Sequence, residues 1–375
     1  MTSKQGIILF ADRLPPLIGG MEMHAYNFIK HFINHDRLPL LQVITKDVSG
    51  KDCVLLGKRR SINISEVSKL YTPMFVFFNS GRWIEELEQI KAVFPTAKFL
   101  YRTGGNEVLK APLIYRKITN HSLRQEFWVH NINKYIDVLI TNSAYTESRL
   151  NKFGVSCSIF RCVGGVDALM LKPSGSLAFK QPTIFCAARF VPYKNHSLLI
   201  SVIHKLVLRG NNFKVRLAGD GSLLLQIQKQ VEENNLSSIV EFTGVLDNQQ
   251  VCREISMANI YMQLSIDQVT KVPGGSYVHS EGMGRSILEA ITAGTFVIAG
   301  RSGALPEIIT KNRGILVDVN NLEQIVSIVE DVLKNPPPKA PFFDGYSWEN
   351  FFRQYEDLLE NIDEYIACYG KMRLQ

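Results

Sequence analysis

No run in this chain approaches the ~18 consecutive apolar residues of a membrane-spanning helix, and its N-terminus lacks the basic, hydrophobic and small-residue segments of a secretory signal. A cytoplasmic protein is the expectation. The six cysteines (Cys53, Cys157, Cys162, Cys186, Cys252 and Cys368) include no Cys-x-x-Cys pair, which excludes a zinc knuckle and a disulfide framework as readings. They are expected to be reduced packing residues. The first strand–glycine–helix unit carries no G-x-G-x-x-G, which argues against a dinucleotide site. No recognisable nucleic-acid reading motif is present either, so nucleic acid is not expected as a partner.

What is there describes a folded protein. Its 375 residues are 46% hydrophobic and 21% charged, enough for about two domains with cores of their own. The net charge of +7 is unevenly placed: residues 1–172 hold 23 Lys and Arg against 14 Asp and Glu, net +9, whereas residues 173–375 are net −2. The N-terminal half therefore presents either a merely solvated basic face or one that meets an anionic membrane surface or a phosphorylated acceptor.

Gly6–Ala11 (GIILFA) is a short continuous apolar run, as in a buried parallel strand. It leads into a Pro- and Gly-rich loop, Asp12–Gly20, with a helix predicted from about Met21. Gly19 and Gly20 permit close approach of a ligand to the backbone. Glu22 and His24, in the first helical turn, are either surface groups or contacts on the acceptor side. Further strands are predicted at Leu41–Thr45, Met74–Phe78, Lys98–Arg102 and Val138–Thr141. The third of these runs into Thr103-Gly104-Gly105-Asn106-Glu107, and polar groups just past a strand end sit where open α/β sheets bind ligands. A simple turn is an equal reading of that segment. Residues 171–182 (LKPSGSLAFKQP) read as a linker. A second series follows, with strands at Thr183–Ala187, Lys214–Ala218, Ile239–Thr243, Ile260–Leu264, Phe296–Ala299 and Gly314–Val317, and helices at Leu198–Leu208, Leu223–Asn234 and Leu322–Lys334.

The expected fold is α/β: two Rossmann-like domains, residues 1–172 and 173–343, facing each other across a cleft. Residues 344–375 are read as one terminal amphipathic helix of about two dozen residues, with the stripe Phe351, Phe352, Tyr355, Leu358, Leu359 and Ile362.

The chemistry is concentrated in Glu281–Gly294 (EGMGRSILEAITAG). The apolar residues Ile287, Leu288, Ala290 and Ile291 place a helix from about Arg285, stopped by Gly294. Gly282 and Gly284 make the preceding loop, and a glycine loop feeding a helix N-terminus suits a phosphate. Glu281 and Glu289 repel phosphate but can accept hydrogen bonds from hydroxyls beside one, as in a nucleotide sugar. Taken alone, they are equally a loop residue and a solvated helix residue. Upstream, Arg189 and Lys194 in AARFVPYKN can converge on one diphosphate, or be a solvated basic loop. Gly219-Asp220-Gly221 and Gly244-Val245-Leu246 end the two following strands.

Taken together, AARFVPYKN, LAGDG, EFTGVL, the paired glutamates of EGMGRSILEAITAGTFVIA and GALPEII resemble the retaining GT-B glycosyltransferases of family 4. LPPLIGGMEMHAYNF and CVGGVDALMLKP are similar to that family's opening and hinge segments. The resemblance covers nearly the whole chain. It implies a metal-independent retaining enzyme that moves a hexose or N-acetylhexosamine from a nucleotide-diphosphate sugar to an acceptor hydroxyl, with no cofactor beyond the donor. The donor is expected to be a UDP-sugar, with a GDP-sugar next. The resemblance assigns Arg189 and Lys194 to the diphosphate, Glu281 to the transferred sugar, Glu289 to the ribose hydroxyls, and Gly282, Met283 and Gly284 to donor binding. Gly20 would face the diphosphate, while Gly244, Val245 and Leu246 would cradle the base. The acceptor side would hold Gly19, Glu22, His24, Asn106 and Glu107. The terminal helix would cross back onto the N-terminal domain.

Retention in that family is attributed to front-face displacement, which requires no protein nucleophile. The acceptors implied are a lipid-linked or other glycan in lipopolysaccharide or capsule assembly, with the basic half touching an anionic membrane at its cytoplasmic face. A small soluble acceptor is the alternative, as is a catalytically inactive binding protein of the same fold. Two departures stand out. Arg102-Thr103-Gly104-Gly105-Asn106-Glu107 replaces a segment that carries a histidine in many members, and Gly164-Gly165 replaces the commoner Asn-Gly at the hinge.

Overall fold

The computed structural model describes residues 5–14, 19–45, 64–79, 81–104, 106–113, 115–172 and 179–373. Cys53, Gly105, positions 15–18 of the first loop and positions 173–178 of the expected linker lie outside the described residues. Contacts divide the chain into two units. The first comprises Met1–Val163, Thr270–Tyr277 and Phe351–Gln375; the second comprises Gly164–Val269 and Val278–Asn350.

In the first unit, β1 (Ile7–Ala11), β2 (Leu40–Thr45), β3 (Phe75–Phe78), β4 (Lys98–Thr103), β5 (Val138–Thr141) and β6 (Ser158–Arg161) form a parallel sheet in the order β2-β1-β3-β4-β5-β6. Every residue of β1, β3 and β5 is buried, because a parallel sheet covered by helices on both faces hides both side-chain rows. Much of the core is aromatic, built on Phe10, Phe78, Trp83, Phe99, Tyr101 and Trp128. The strand β6 was not among those predicted from sequence.

The second unit repeats the plan. Strands β7 (Thr183–Ala187), β8 (Lys214–Ala218), β9 (Val240–Gly244) and β10 (Ile260–Gln263) are followed in the chain by a two-stranded ribbon, β11 (Gln268–Val272) and β12 (Gly275–His279), of which Thr270–Tyr277 groups with the first unit. Then come β13 (Phe296–Gly300) and β14 (Gly314–Val317). The main sheet is parallel in the order β14-β13-β10-β7-β8-β9. From β7 the order runs outward one way through β8 and β9, and from β10 the other way through β13 and β14. The crevice past the C-terminal ends of β7 and β10 is therefore this sheet's topological switch point, the place where such sheets bind ligands.

The terminal segment forms two helices, Trp348–Glu360 and Ile362–Arg373, rather than one. From Phe351 onward it groups with the first unit, and all six residues of its expected apolar stripe are buried. Two imidazoles grip it: His31 Nε2 and His35 Nε2 lie 2.5 and 3.1 Å from Glu356 Oε1. His35 Nδ1 accepts the Leu38 N–H at 3.0 Å, so its Nε2 carries the proton and donates to Glu356. The ribbon was also missed from sequence. Within the first unit its Pro273 and Gly274 carbonyls accept from the His121 N–H (2.8 Å) and the Ser122 hydroxyl (2.7 Å). The described cysteines are free; Cys162, Cys186 and Cys252 are buried as expected of packing residues, whereas Cys368 is exposed. Among the described residues no helix is long and apolar enough to cross a membrane.

Candidate functional site

The second unit's switch point gathers side chains from both halves of its sheet. After β7 the chain passes Arg189, makes a single 3-10 turn at Pro192–Lys194, and enters the His196–Leu208 helix through Asn195 in the left-handed region. The turn is shaped by its neighbour: a Cβ on Gly219 would sit 2.3 Å from the Ala188 carbonyl, and one on Gly221 2.5 Å from that of Phe190. The LAGDG glycines thus let the two loops lie against each other, while Phe190 N–H donates to Asp220 O.

Lys194 Nζ reaches Glu281 Oε1 at 2.6 Å, and both side chains are almost fully covered. The same oxygen accepts from Gln263 Nε2 (2.9 Å) and Ser265 Oγ (2.7 Å). Glu281 Oε2 has no hydrogen-bond partner among the described residues, which leaves it able to accept from a ligand hydroxyl. Burial alone would push the Lys194 ammonium down, but the Glu281 carboxylate overrides it and the pKa stands above its ordinary value. Glu281 is therefore not an open residue at a loop mouth, as its sequence position suggests. Its backbone is fixed as well: its N–H donates to Ser302 Oγ, its carbonyl accepts from the Ala304 N–H at 2.8 Å, and Asp267 Oδ1 holds Ser302 Oγ and the Gly303 N–H.

Arg189 is exposed, and among the described residues no carboxylate pairs with it. Its Nη2 lies 3.5 Å from Tyr193 Oη, and the Lys194 ammonium lies 5.3 Å from the centre of the same ring. Tyr193, itself stacked on His279 at 4.0 Å, stands between the two cations. Because Lys194 is already matched by Glu281, the uncompensated positive charge here belongs to Arg189.

The Arg285–Ala293 helix starts at Gly284 (φ +75°) and stops at Gly294 (φ +75°). A Cβ on Gly294 would lie 2.1 Å from the Ala340 carbonyl, so only glycine fits that stop. Glu289 is buried inside this helix with Arg285 Nε 3.1 Å away, and Arg285 also faces Asp167 at 3.7 Å and Asn248 Oδ1 at 3.2 Å. Burial raises the Glu289 pKa; Arg285 opposes this and Asp167 adds to it. Gly282 and Met283 are half-buried and Gly284 is buried. Gly244 has φ +72° with open space where a Cβ would be, and Val245 beside it is 64% exposed. Leu246 is half-buried.

Of the residues assigned from sequence in the first unit, Gly19 caps the Gly20–Phe32 helix and a Cβ on Gly20 would meet nothing within 4 Å. The Glu22 carboxylate folds back over Gly19. His24 corrects an expectation: it has no exposed surface, its Nε2 lies 3.1 Å from Tyr355 Oη, and its ring packs among Phe28, Phe77, Phe351 and Phe352. A ring so enclosed touches no acceptor here. Asn106 opens the short Asn106–Lys110 helix, and Glu107 turns back to accept from Thr103 Oγ1 and the Gly104 N–H. Sequence reading missed Gln263, Ser265, Asp267, Ser302 and the Asp167–Asn248–Arg285 group. The alternation of Gln263 and Ser265, which puts both on one side of the chain at the end of β10, was the available signal.

Comparison with known proteins bears on the fold and the class of activity. Residues 171–342 match the family described as glycosyl transferases group 1. The chain is 26% identical, over 357 residues covering 87% of it and 89% of the relative, to a GDP-mannose-dependent alpha-(1-6)-phosphatidylinositol monomannoside mannosyltransferase of Mycobacterium tuberculosis. Among solved structures it superposes on Anabaena HepE in complex with UDP and glucose with a TM-score of 0.69, at 15% identity over 95% of this chain and 100% of that one. Sucrose-phosphate synthase of Thermosynechococcus elongatus gives 0.71, at 16% identity over 96% and 100%. The fold is GT-B, two Rossmann-like α/β domains. Together these findings support a GT-B glycosyltransferase, an enzyme that takes sugar from a nucleotide sugar.

Proposed function

We propose that the protein transfers a hexose, with retention of configuration, from a nucleotide-diphosphate sugar to a hydroxyl of a cell-surface glycolipid or its precursor. The observation that carries this reading is Glu281: one oxygen is held by Lys194, Gln263 and Ser265, while the other has no partner among the described residues and would accept from a sugar hydroxyl. Arg189, a cation without a carboxylate partner among the described residues, lies two residues beyond the end of β7 and would take the donor diphosphate. Lys194 has two further N–H donors beyond the one on Glu281 and would share that load. Buried Glu289 would accept from the ribose hydroxyls, which offer the hydrogen bonds its carboxylate lacks. Gly282 to Gly284 and Gly244 to Leu246 would complete the donor site.

In this mechanism the bond from the anomeric carbon to the diphosphate oxygen lengthens on one face of the sugar. The acceptor oxygen attaches on that same face, and its proton passes to the departing phosphate oxygen. The positive charge of Arg189 and Lys194 stabilises the leaving group, so no metal is called on. Support for a lipid-linked acceptor comes from the net +9 of residues 1–172, suited to an anionic membrane surface, and from the M. tuberculosis relative, named for a phosphatidylinositol mannoside. HepE was solved with UDP and that relative is named GDP-mannose-dependent, so both donor classes belong in the assay.

The test is transfer from UDP- and GDP-hexoses to lipid extracts presented in anionic vesicles, with the product anomer read by NMR. A glycolipid of the donor's anomeric configuration is expected. An inverted product would refute retention, and release of free sugar alone would refute transfer.

A further inference from the structure

A polar row runs along β10 through the middle of the second unit's sheet. The strand and its continuation read Ile260-Tyr261-Met262-Gln263-Leu264-Ser265, and successive side chains point to opposite faces. Ile260, Met262 and Leu264 join the hydrophobic core, whereas Tyr261, Gln263 and Ser265 are buried on the other side. A central parallel strand ordinarily hides apolar residues on both faces, and buried polar groups persist where hydrogen bonds satisfy them. Gln263 and Ser265 bond Glu281 directly. The hydroxyl of Tyr261 stands one step further back.

That hydroxyl belongs to a second cluster. It lies 2.7 Å from Ser286 Oγ, 3.1 Å from the Ala187 carbonyl and 3.2 Å from Gln263 Oε1, and the Ala187 N–H donates to it at 3.4 Å. Burial above all raises its pKa, so the phenol keeps its proton. Ser286 Oγ is also 3.4 Å from Gln263 Oε1. The Gln263 amide is therefore bracketed: its oxygen faces two hydroxyls that can donate, and its nitrogen donates to Glu281 Oε1 (2.9 Å) and Ser265 Oγ (3.0 Å). Turned over, the amide would set its oxygen against a carboxylate oxygen, two acceptors with no proton between them.

We propose that Tyr261 is a positioning residue for Glu281, acting through Gln263: its hydroxyl fixes which end of the amide faces the carboxylate, so that a donor is presented to Glu281 Oε1. With that oxygen taken by Lys194, Gln263 and Ser265, the carboxylate is held in one rotation and Oε2 is the atom left for a ligand hydroxyl. This rests on the transferase reading in one respect, that the hydroxyl belongs to the transferred sugar. Ser286, the second residue of the Arg285–Ala293 helix, ties the same relay to the helix that carries Glu289.

The experiment uses the full chain, with turnover of UDP-glucose and GDP-mannose as one readout and calorimetric binding of UDP and GDP as another. Gln263→Leu is expected to lower kcat about a hundredfold and Tyr261→Phe about tenfold, with nucleotide affinity within about twofold of the parent's in both. The double variant Tyr261→Phe/Gln263→Leu should turn over no more slowly than Gln263→Leu alone, because the hydroxyl acts through the amide. Gln263→Glu supplies a readout that loss of packing would not move. Its new carboxyl faces Glu281, and the one ammonium of Lys194 cannot balance two carboxylates, so the group holds its proton above the ordinary range of a glutamic acid. Protonated, it donates to Glu281 as the amide does; ionised, it repels it. Cys186, Tyr261 and Glu289 are the other ionisable groups around the cluster. Relative to the parent, both the turnover and the melting temperature of Gln263→Glu are expected to fall as the pH rises from about 5 to about 8. Losses that add in the double variant, or a Gln263→Glu profile parallel to the parent's, overturn the proposal; the Gln263→Glu profile decides if Gln263→Leu does not fold. A parent that turns over neither nucleotide sugar counts against the transferase reading, and the melting profile, taken without substrate, still decides this one.

Discussion

Lys194 Nζ lies 2.6 Å from Glu281 Oε1, tying the loop after β7 to the loop that feeds the Arg285–Ala293 helix. The contact sets the electrostatics of the site. It holds one glutamate oxygen in place while the other keeps no hydrogen-bond partner among the described residues, and it leaves Arg189 as the site's cation with no carboxylate partner among them.

Removing the ammonium exposes this dependence. In Lys194→Ala, Glu281 stays buried with only Gln263 and Ser265 to solvate it, and a loss of about 3 kcal/mol in urea melts is expected. Transfer should fall by about a hundredfold or more. A variant as stable as its parent would show that the pair contributes little to holding the site.

Glu289 links stability to pH in the opposite sense from a surface glutamate. Burial raises its folded pKa, so its favourable contribution is complete below the unfolded value and is lost as the pH rises through the folded one. Glu289→Gln is therefore expected to melt higher than its parent near neutrality, with the gain shrinking under acid, while nucleotide affinity falls about tenfold or more. Lower stability of the variant at neutral pH would contradict the shift.

His196 is buried against Phe190 at 4.2 Å, and among the described residues neither ring nitrogen has a partner. Burial first, and the Lys194 charge second, lower its pKa to about 4. The unfolded chain binds this proton more readily, so stability is lost as pH falls from about 6.5 to about 4, by up to roughly 3 kcal/mol. His196→Phe should flatten that part of the pH profile of the melting temperature; an unchanged profile would place the acid sensitivity elsewhere.

Gly303 has φ +52°, and a Cβ there would fall 2.0 Å from the Glu281 carbonyl. Gly303→Ala should displace the Glu281 segment and lower transfer about tenfold or more at a stability cost of about 1–3 kcal/mol. Full turnover would mean that this backbone can shift without moving the carboxylate.

Much of this was legible in the chain. Continuous apolar runs such as Ile7–Ala11 and Phe75–Phe78 have few other places in a soluble fold, and Gly294 announced the end of its helix. Arg189, Lys194, Glu281 and Glu289 were visible because each lies in a short segment with glycine or proline around it. What stayed hidden was long-range: Lys194 meeting Glu281, or Asp167 meeting Arg285, leaves no local pattern in either segment. His24 was misplaced because its polarity outweighed its position on the helix face shared with Phe28. The Gln268–His279 ribbon did carry a signal in Pro273-Gly274-Gly275, passed over beside the motif that follows it.

The central claim is that the second unit binds a nucleotide diphosphate through Arg189, Lys194 and Glu289. Calorimetric titration of UDP and GDP in the presence of EDTA, with the parent protein and with Glu289→Ala and Arg189→Ala, tests it most directly. Saturable binding of one nucleotide without metal, weakened in both variants while their melting temperatures stay near the parent's, is the expected result. No binding of either nucleotide, or binding indifferent to both substitutions, would contradict the account.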